Sequence, residues 1–532
     1  MNKNYLPLYF AFAIVLGILI GSFFNGGASS GNLFASKSAN EVKLKRLIDY
    51  IQRDYVDSIN TDNLLDGAIT QILGKLDPHS VYIPKENLQQ VTENMQGNFV
   101  GIGVQFRMIK DSITVIQPIK GGPSIKAGIK AGDRILMSNK DTLHGKNLNS
   151  NGVPKYLKGE PNTNVDLQVY RKTNDSLFTV TLKRGKVAIK SVDVSYMVND
   201  SVGYIKLERF ARTSYREFKT ALTKLQNKGM TDLVLDLRGN GGGYIDIANK
   251  IVDEFLEDGK LIVFTKDNKG NVDESFSTTK GDFEKGGLYI LIDQNSASAS
   301  EIVAGALQDN DRGITIGRRS FGKGLVQEEK DLGDGSAIRL TIARYYTPTG
   351  RSIQKPYEKG KGKSYSRDIN NRINSGELLN KDSIKVVDSL QFKTPKGKIV
   401  YGGGGIIPDV FVAVDTTSYL NNFYFNTIQN FAFDLVDTNR KEFTKMTLDN
   451  FIASYNIDAA YTSYLKQINS RLSDTRRRLN NRYKPSEKSR NIIKQYLKAT
   501  IANQIYGDEG FYRIIQSDDK MILKVLELET TN

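Results

Sequence analysis

From Tyr5 to Phe24 the chain runs for 20 residues without a charge, with Lys3 before it and the small polar run Asn25–Asn32 after it. At about 1.5 Å per residue, such a run crosses a bilayer as one helix. We read it as an uncleaved single-pass anchor. A signal peptide cut near Ala28-Ser-Ser-Gly31 is the alternative, although the apolar run exceeds the usual signal core. With Lys3 inside, the rest of the chain lies across the membrane. The expected place is the inner membrane, with the folded domains on the periplasmic or extracytoplasmic side. None of the 532 residues is cysteine, so lipid attachment through a thiol and disulfides are both excluded, and exported domains must rely on packing. At about 100 to 200 residues per domain, this length implies three or four units.

The formal charge is +15. Much of the excess is local: eleven Lys or Arg lie between Lys466 and Lys498, against Asp474 and Glu487. A solvated helical face accounts for it, with a patch for anionic lipid or an acidic partner as the alternative. No nucleic-acid-binding module is recognisable, so no nucleic-acid partner is expected.

After the anchor, Leu44, Leu47, Ile48, Ile51 and Tyr55, then Leu65, Ala68, Ile69, Ile72 and Leu76, recur at helical spacing and predict two short amphipathic helices. The second stops at Leu76-Asp-Pro-His-Ser80. His79 has no metal-ligand partner nearby in sequence and reads as part of the turn. Short strands follow at Val100–Phe106, Ile113–Ile119, Val165–Arg171 and Leu177–Lys183, separated by Gly121-Gly-Pro-Ser124 and Gly128-Ile-Lys-Ala-Gly-Asp133. A strand–helix alternation comes next. Leu233–Leu237 is a buried strand entering Arg238-Gly-Asn-Gly-Gly-Gly243, Ile247 to Phe255 a helix, and Leu288–Asp293 another strand.

Immediately after that strand lies Asn295-Ser-Ala-Ser-Ala-Ser-Glu301, and further on Ser320-Phe-Gly-Lys-Gly324. The chain holds two histidines, His79 and His144, neither in this stretch, so a Ser-His-Asp arrangement has no imidazole there. A lysine can serve instead, because burial disfavours the ammonium and lowers its pKa. Ser298 as nucleophile with Lys323 as base is the resulting pair. Serines that merely cap the next helix, with Glu301 one turn on, are the plain alternative. Two glycine patterns suggest nucleotide binding and fail: Gly324 stands where a P-loop needs Ser or Thr, and Tyr244 where a dinucleotide fingerprint needs glycine. The glycines suit an oxyanion hole better, with a backbone N–H from Gly242 or Gly243 joining that of Ala299. Neither a cofactor nor a metal is expected.

Taken together, Leu235–Gly243, the Ser-Ala-Ser-Ala-Ser-Glu run, Phe321–Gln327, Tyr346–Ile353 and Gly405–Asp409 resemble, in that order, the carboxyl-terminal processing peptidases, the tail-specific S41 serine proteases. The resemblance implies Ser298 as nucleophile, Lys323 as general base, Gln327 as the residue that orients it, and Glu301 at a further site position. The module from Gly97 to Arg184 resembles a PDZ domain. There Gly101-Ile102-Gly103 would hold a terminal carboxylate with backbone N–H groups; a β-bulge without a ligand is the alternative. The implied function is a Ser-Lys endopeptidase that selects unfolded or exported proteins by their free C-termini. Gating by the PDZ domain, and an adaptor or activator partner, would follow from the same resemblance.

The expected fold is a multidomain α+β and α/β chain. Residues 1–36 are the anchor or signal segment, 37–96 an N-terminal helical region, and 97–185 the PDZ domain. Residues 186–415 form a crotonase-like protease core, and 416–532 a helical extension with an open docking or oligomerisation role. Residues 354–401 depart from the family as a polar insertion, expected to be a flexible surface excursion.

Overall fold

The apolar run Leu233–Leu237 lies in the middle of a six-stranded sheet whose strands run in the order Val192–Met197, Val202–Leu207, Asp232–Asp236, Gly287–Ile292, Ile314–Gly317, Val410–Phe411. The first pair is antiparallel and the rest are parallel. Because side chains alternate along a strand, Leu233 and Leu235 face one layer while Val234 faces the other. The first layer is made by helices Ser214–Gln226, Ile245–Asp253 and Ala299–Asp309. Every residue of Ala299–Asp309 is buried, as expected for a helix that is small and apolar around most of its circumference. The opposite face packs on Met521, Ile522 and Val525 of helix Lys520–Glu529.

This computed structural model describes residues 11–12, 14–16, 39–145, 148–416, 420, 422–475 and 485–531. The expected anchor, Tyr5–Phe24, lies outside them except for those five residues. Among the described residues no helix is long and apolar enough to cross a membrane. Helices Ala39–Asp54 and Thr61–Gly74 appear where the periodicity placed them.

A second, antiparallel sheet orders Val81–Ile83, Ala337–Tyr346, Leu261–Asp267 and Val272–Phe276, with Leu325–Asp331 also paired to Ala337–Tyr346. The register Val81↔Arg339 brings the Asp77–Ser80 turn beside strand Ala337–Tyr346.

In the module expected to be a PDZ domain, Val104–Ile109, Ser112–Pro118, Arg134–Ser138, Asn164–Arg171 and Ser176–Lys183 form one sheet. The single strand expected over Val100–Phe106 is two. Asn98–Gly101 pairs with Gly185–Ala188, and Val104–Ile109 with Ser112–Pro118. Gly103 breaks the run at φ 76°, where a Cβ would stand 3.2 Å from Val187. Ile102 turns into the module's core.

The insertion is not a loose excursion. It folds into helices Gly362–Ser366 and Asp368–Asn374 and a hairpin of Gln391–Lys393 with Ile399–Tyr401. It buries Gln354, Lys355, Arg372 and Glu377. The helical extension has its own core, built from Asn422–Phe443, Asp458–Thr475, Glu487–Tyr506 and shorter helices. Part of the basic stretch, 476–484, lies outside the described residues.

Candidate active site

Three serines crowd the turn between strand Gly287–Ile292 and helix Ala299–Asp309, and their surroundings separate them. Ser296 Oγ donates to the Leu237 carbonyl at 2.9 Å and accepts from the Asp293 N–H at 2.9 Å. Ser300 Oγ donates to the Asn240 carbonyl at 2.9 Å. Both are fully buried. Ser298 is the one that lines a cleft of about 440 Å³. Its backbone has φ 57° and ψ −115°, a conformation that costs a residue with a side chain on the order of 1–3 kcal/mol.

Glu301 is wholly buried one turn along. Its carboxylate accepts from Ser298 N–H (2.9 Å), Gly322 N–H (2.7 Å), Lys323 N–H (2.8 Å) and Ser320 Oγ (2.5 Å). Burial pushes this carboxyl above the ordinary range, and the four donors oppose that. The capping arrangement is thus present, yet the same carboxylate also ties the serine's loop to the lysine's. Tyr345, a residue sequence reasoning missed, makes a second tie: its hydroxyl lies 3.1 Å from the Ser298 carbonyl and 2.7 Å from that of Lys323.

Lys323 lines the same cleft. Burial, helped by the nearby Arg339 charge, lowers its pKa to about 8, against the pull of Glu301 and Asp77. Its Nζ donates to Gln327 Oε1 at 2.8 Å. Gln327 in turn donates through Nε2 to the His79 carbonyl. Sequence reasoning placed neither histidine near the catalytic stretch; the structure brings His79 there because the Val81–Ile83 pairing carries its turn along. The ring itself accepts from or donates to the Tyr365 hydroxyl at 2.8 Å. Burial holds the imidazole down to a pKa of about 4.

The glycine run lies against the serine. A Cβ on Gly242 would come within 2.8 Å of Ser298 Cβ, so this position admits only glycine. The Gly242 N–H already donates to Asn240 Oδ1 at 2.9 Å, which removes it as an oxyanion donor and leaves it a steric role. Among the described hydrogen bonds, none uses the N–H of Gly243 or Ala299. Asn240 fixes the run, its carbonyl accepting from Ala297 N–H at 3.0 Å and its side chain donating to Leu207 at 2.8 Å. Apolar Ile245, Ile302 and Leu325 complete one wall of the cleft.

Ser298, Lys323, Gln327, Gly242 and Gly243 therefore share one cleft, with Glu301 buried behind it. Gly101, Ile102 and Gly103 do not line it; they sit in the PDZ module, where the carbonyls of Ile102 and Gly103 accept from Ser124 and Ile119. The N–H groups of Ile102 and Gly103 have no partner among the described hydrogen bonds.

A serine and a lysine whose pKa burial has lowered, beside backbone N–H groups without a partner among the described hydrogen bonds, form the kind of site a serine peptidase uses, and residues 201–360 match the profile of peptidase family S41. Residues 100–182 match a PDZ domain, 28–87 the activating protease CtpB N-terminal domain, and 419–507 a family of unknown function. The chain is 37% identical over 313 residues to a carboxy-terminal-processing protease of Bartonella bacilliformis, covering 58% of this chain and 71% of that one. It is 32% identical over 347 residues to the carboxy-terminal processing protease CtpB of Bacillus subtilis, covering 65% and 71%. Among solved structures, a photosystem II D1 C-terminal processing protease aligns over 70% of this chain and 86% of its own at 26% identity, with a TM-score of 0.36. The chain belongs to the carboxy-terminal processing serine proteases of family S41, and it carries a PDZ domain.

Proposed function

We propose that Ser298 is the nucleophile of this protease and Lys323 its general base. Lys323 in its neutral form takes the Ser298 proton as Oγ attacks a peptide carbonyl, then gives it to the leaving amine. Water hydrolyses the acyl-enzyme under the same base. Gln327 orients Nζ, Glu301 holds the two loops in register, and the N–H groups of Gly243 and Ala299 face the developing oxyanion. The observation that carries this reading is the lowered pKa of Lys323, about 8, in the cleft that Ser298 lines.

Gly101-Ile102-Gly103 is the proposed seat of a substrate's terminal carboxylate. The N–H groups of Ile102 and Gly103, without a partner among the described hydrogen bonds, support it, since a carboxylate would satisfy both. Substrates are then exported or unfolded proteins with free C-termini, delivered on the far side of the inner membrane to a chain anchored through Tyr5–Phe24. The test is cleavage of an unstructured protein with an apolar C-terminus by the full chain, beside Ser298→Ala and Lys323→Ala. Loss in both variants is expected; cleavage surviving in either overturns the assignment. For the anchor, alkaline carbonate extraction should leave the full chain in the membrane pellet and release one lacking Tyr5–Phe24.

A further inference from the structure

Lys323 is carried by Ser320–Gly324, a loop with no strand or helix of its own. Its backbone groups must find partners elsewhere, and those partners are distributed unevenly. The N–H groups of Ser320, Phe321, Gly322 and Lys323 go to the protease core, to Ile406, Ser296 and Glu301. The carbonyls go largely to the insertion. Arg372 Nη1 donates to the carbonyls of Arg319 (3.2 Å) and Ser320 (2.8 Å), and Nη2 to that of Phe321 (3.2 Å). The Lys355 N–H donates to the Gly322 carbonyl at 3.0 Å, and Gln354 Oε1 accepts from the Gly324 N–H at 2.9 Å.

Arg372 is 2% exposed. A buried guanidinium is costly unless its charge is compensated; here the charge faces Asp368 at 3.0 Å and Glu377 at 3.9 Å, while Nε itself makes no hydrogen bond. Glu377 also grips Arg319 with both oxygens, at 2.7 and 2.6 Å. The Lys355 ammonium sits 3.8 Å from the centre of the Phe321 ring and 4.1 Å from that of Tyr365. The Tyr365 hydroxyl reaches His79, whose carbonyl receives Gln327. The insertion thus touches the lysine's loop through Gln354, Lys355 and Arg372, although the S41 match ends at residue 360.

We propose that Arg372 is a positioning residue of the active site: by binding three successive carbonyls it holds the Lys323 loop in the geometry that proton transfer needs. The insertion is then a working part of the protease. This rests on Ser298 and Lys323 being the catalytic pair.

The test compares the full chain with Arg372→Ala and Arg372→Lys, measuring kcat and KM on an unstructured substrate from about pH 6.5 to 10. The groups facing Lys323 are Glu301, Asp77, His79 and Arg339. With its pKa near 4, His79 is neutral throughout this range, so the ascending limb of the rate belongs to Lys323. Arg372→Ala should lower kcat at pH 7.5 by about tenfold or more while KM stays within about twofold, the scale of a misplaced catalytic group. The loop, loosened and wetter, should move the ascending limb to higher pH, so that the deficit shrinks towards pH 10. Millimolar guanidinium should restore part of the rate.

Arg372→Lys keeps the buried charge but can reach fewer carbonyls, so its kcat should fall in between with the limb moved the same way. It carries the test if Arg372→Ala does not fold. Wild-type kcat in the variant that folds, or a loss equal at every pH without rescue, overturns the proposal. Cleavage surviving in Ser298→Ala or Lys323→Ala would instead bring down the underlying pair, so the two failures are distinguishable.

Discussion

The loops that bring Ser298 and Lys323 together are held in opposite ways. The serine's loop is bound by its own sheet: Ser296 to Leu237 and Asp293, Ala297 and Ser300 to Asn240. Those partners lie at the ends of adjacent parallel strands. The lysine's loop shares that core through its N–H groups, but several of its carbonyls, and Gln327, depend on segments from far along the chain. The Asp77–Ser80 turn is 248 residues from Gln327, and Arg372 is 51 to 53 residues from the carbonyls it binds. On the roles proposed for Ser298 and Lys323, position for attack is a property of the core, whereas the state of the base is assembled from the periphery. Damage to the core should cost stability; damage to the periphery should alter protonation first.

Ser298→Ala should have the largest effect, abolishing cleavage by at least about a thousandfold. Ser300→Ala should do the converse, sparing Ser298 while costing about 1–3 kcal/mol in urea unfolding through the lost bond to Asn240. A Ser300→Ala protein of wild-type stability would break the contrast.

Lys323→Met should also be inactive, yet more stable. Moving this pKa from the ordinary 10.5 to about 8 costs up to about 3 kcal/mol at neutral pH. Below about pH 8 the lysine is charged in both folded and unfolded chains, and the cost is present in full. Between about 8 and 10.5 only the unfolded chain keeps the proton, so wild-type stability rises with pH and the advantage of Lys323→Met fades. Denaturation at pH 7 and pH 10 measures the difference. Next in size is Gln327→Glu, which puts an anion against Nζ. The ascending limb of the pH–rate profile should rise by about one pH unit or more, with about tenfold less activity at pH 7.5. The smallest change should come from Arg339→Gln. Losing this cation removes a force that holds the ammonium down, so the limb moves the same way by less. A limb displaced downward in either variant would contradict the role given to the periphery.

Much of the core was legible because periodicity and short-range chemistry carry it. The apolar run Leu233–Leu237, the helix after Ser298 and the lysine loop all have local signatures, and the lack of cysteine and the scarcity of histidine narrowed the chemistry. Spacing could not say which of three successive glycines has its N–H taken up; that depended on the direction of the Asn240 side chain, which accepts from Gly242. Tyr345 and the His79 carbonyl had no signal, since each acts through strand pairing between distant segments. The insertion misled for a different reason. Polarity reads as exposure when burial means apolar packing, but Gln354, Lys355, Arg372 and Glu377 are buried by pairing with backbone, rings and one another. The C-terminal helix Lys520–Glu529 was equally hidden, because nothing local shows that it covers the far face of the sheet.

The backbone at Ser298 has a consequence for lineage. Its φ of 57° suits glycine, so Ser298→Gly would relax the turn as it removed the hydroxyl. Pressure for durability alone therefore pushes this position away from chemistry. A descendant with that change would keep its PDZ domain, resist unfolding better than its parent and cut nothing. The route from protease to silent scaffold runs downhill here, and only the need for cleavage opposes it.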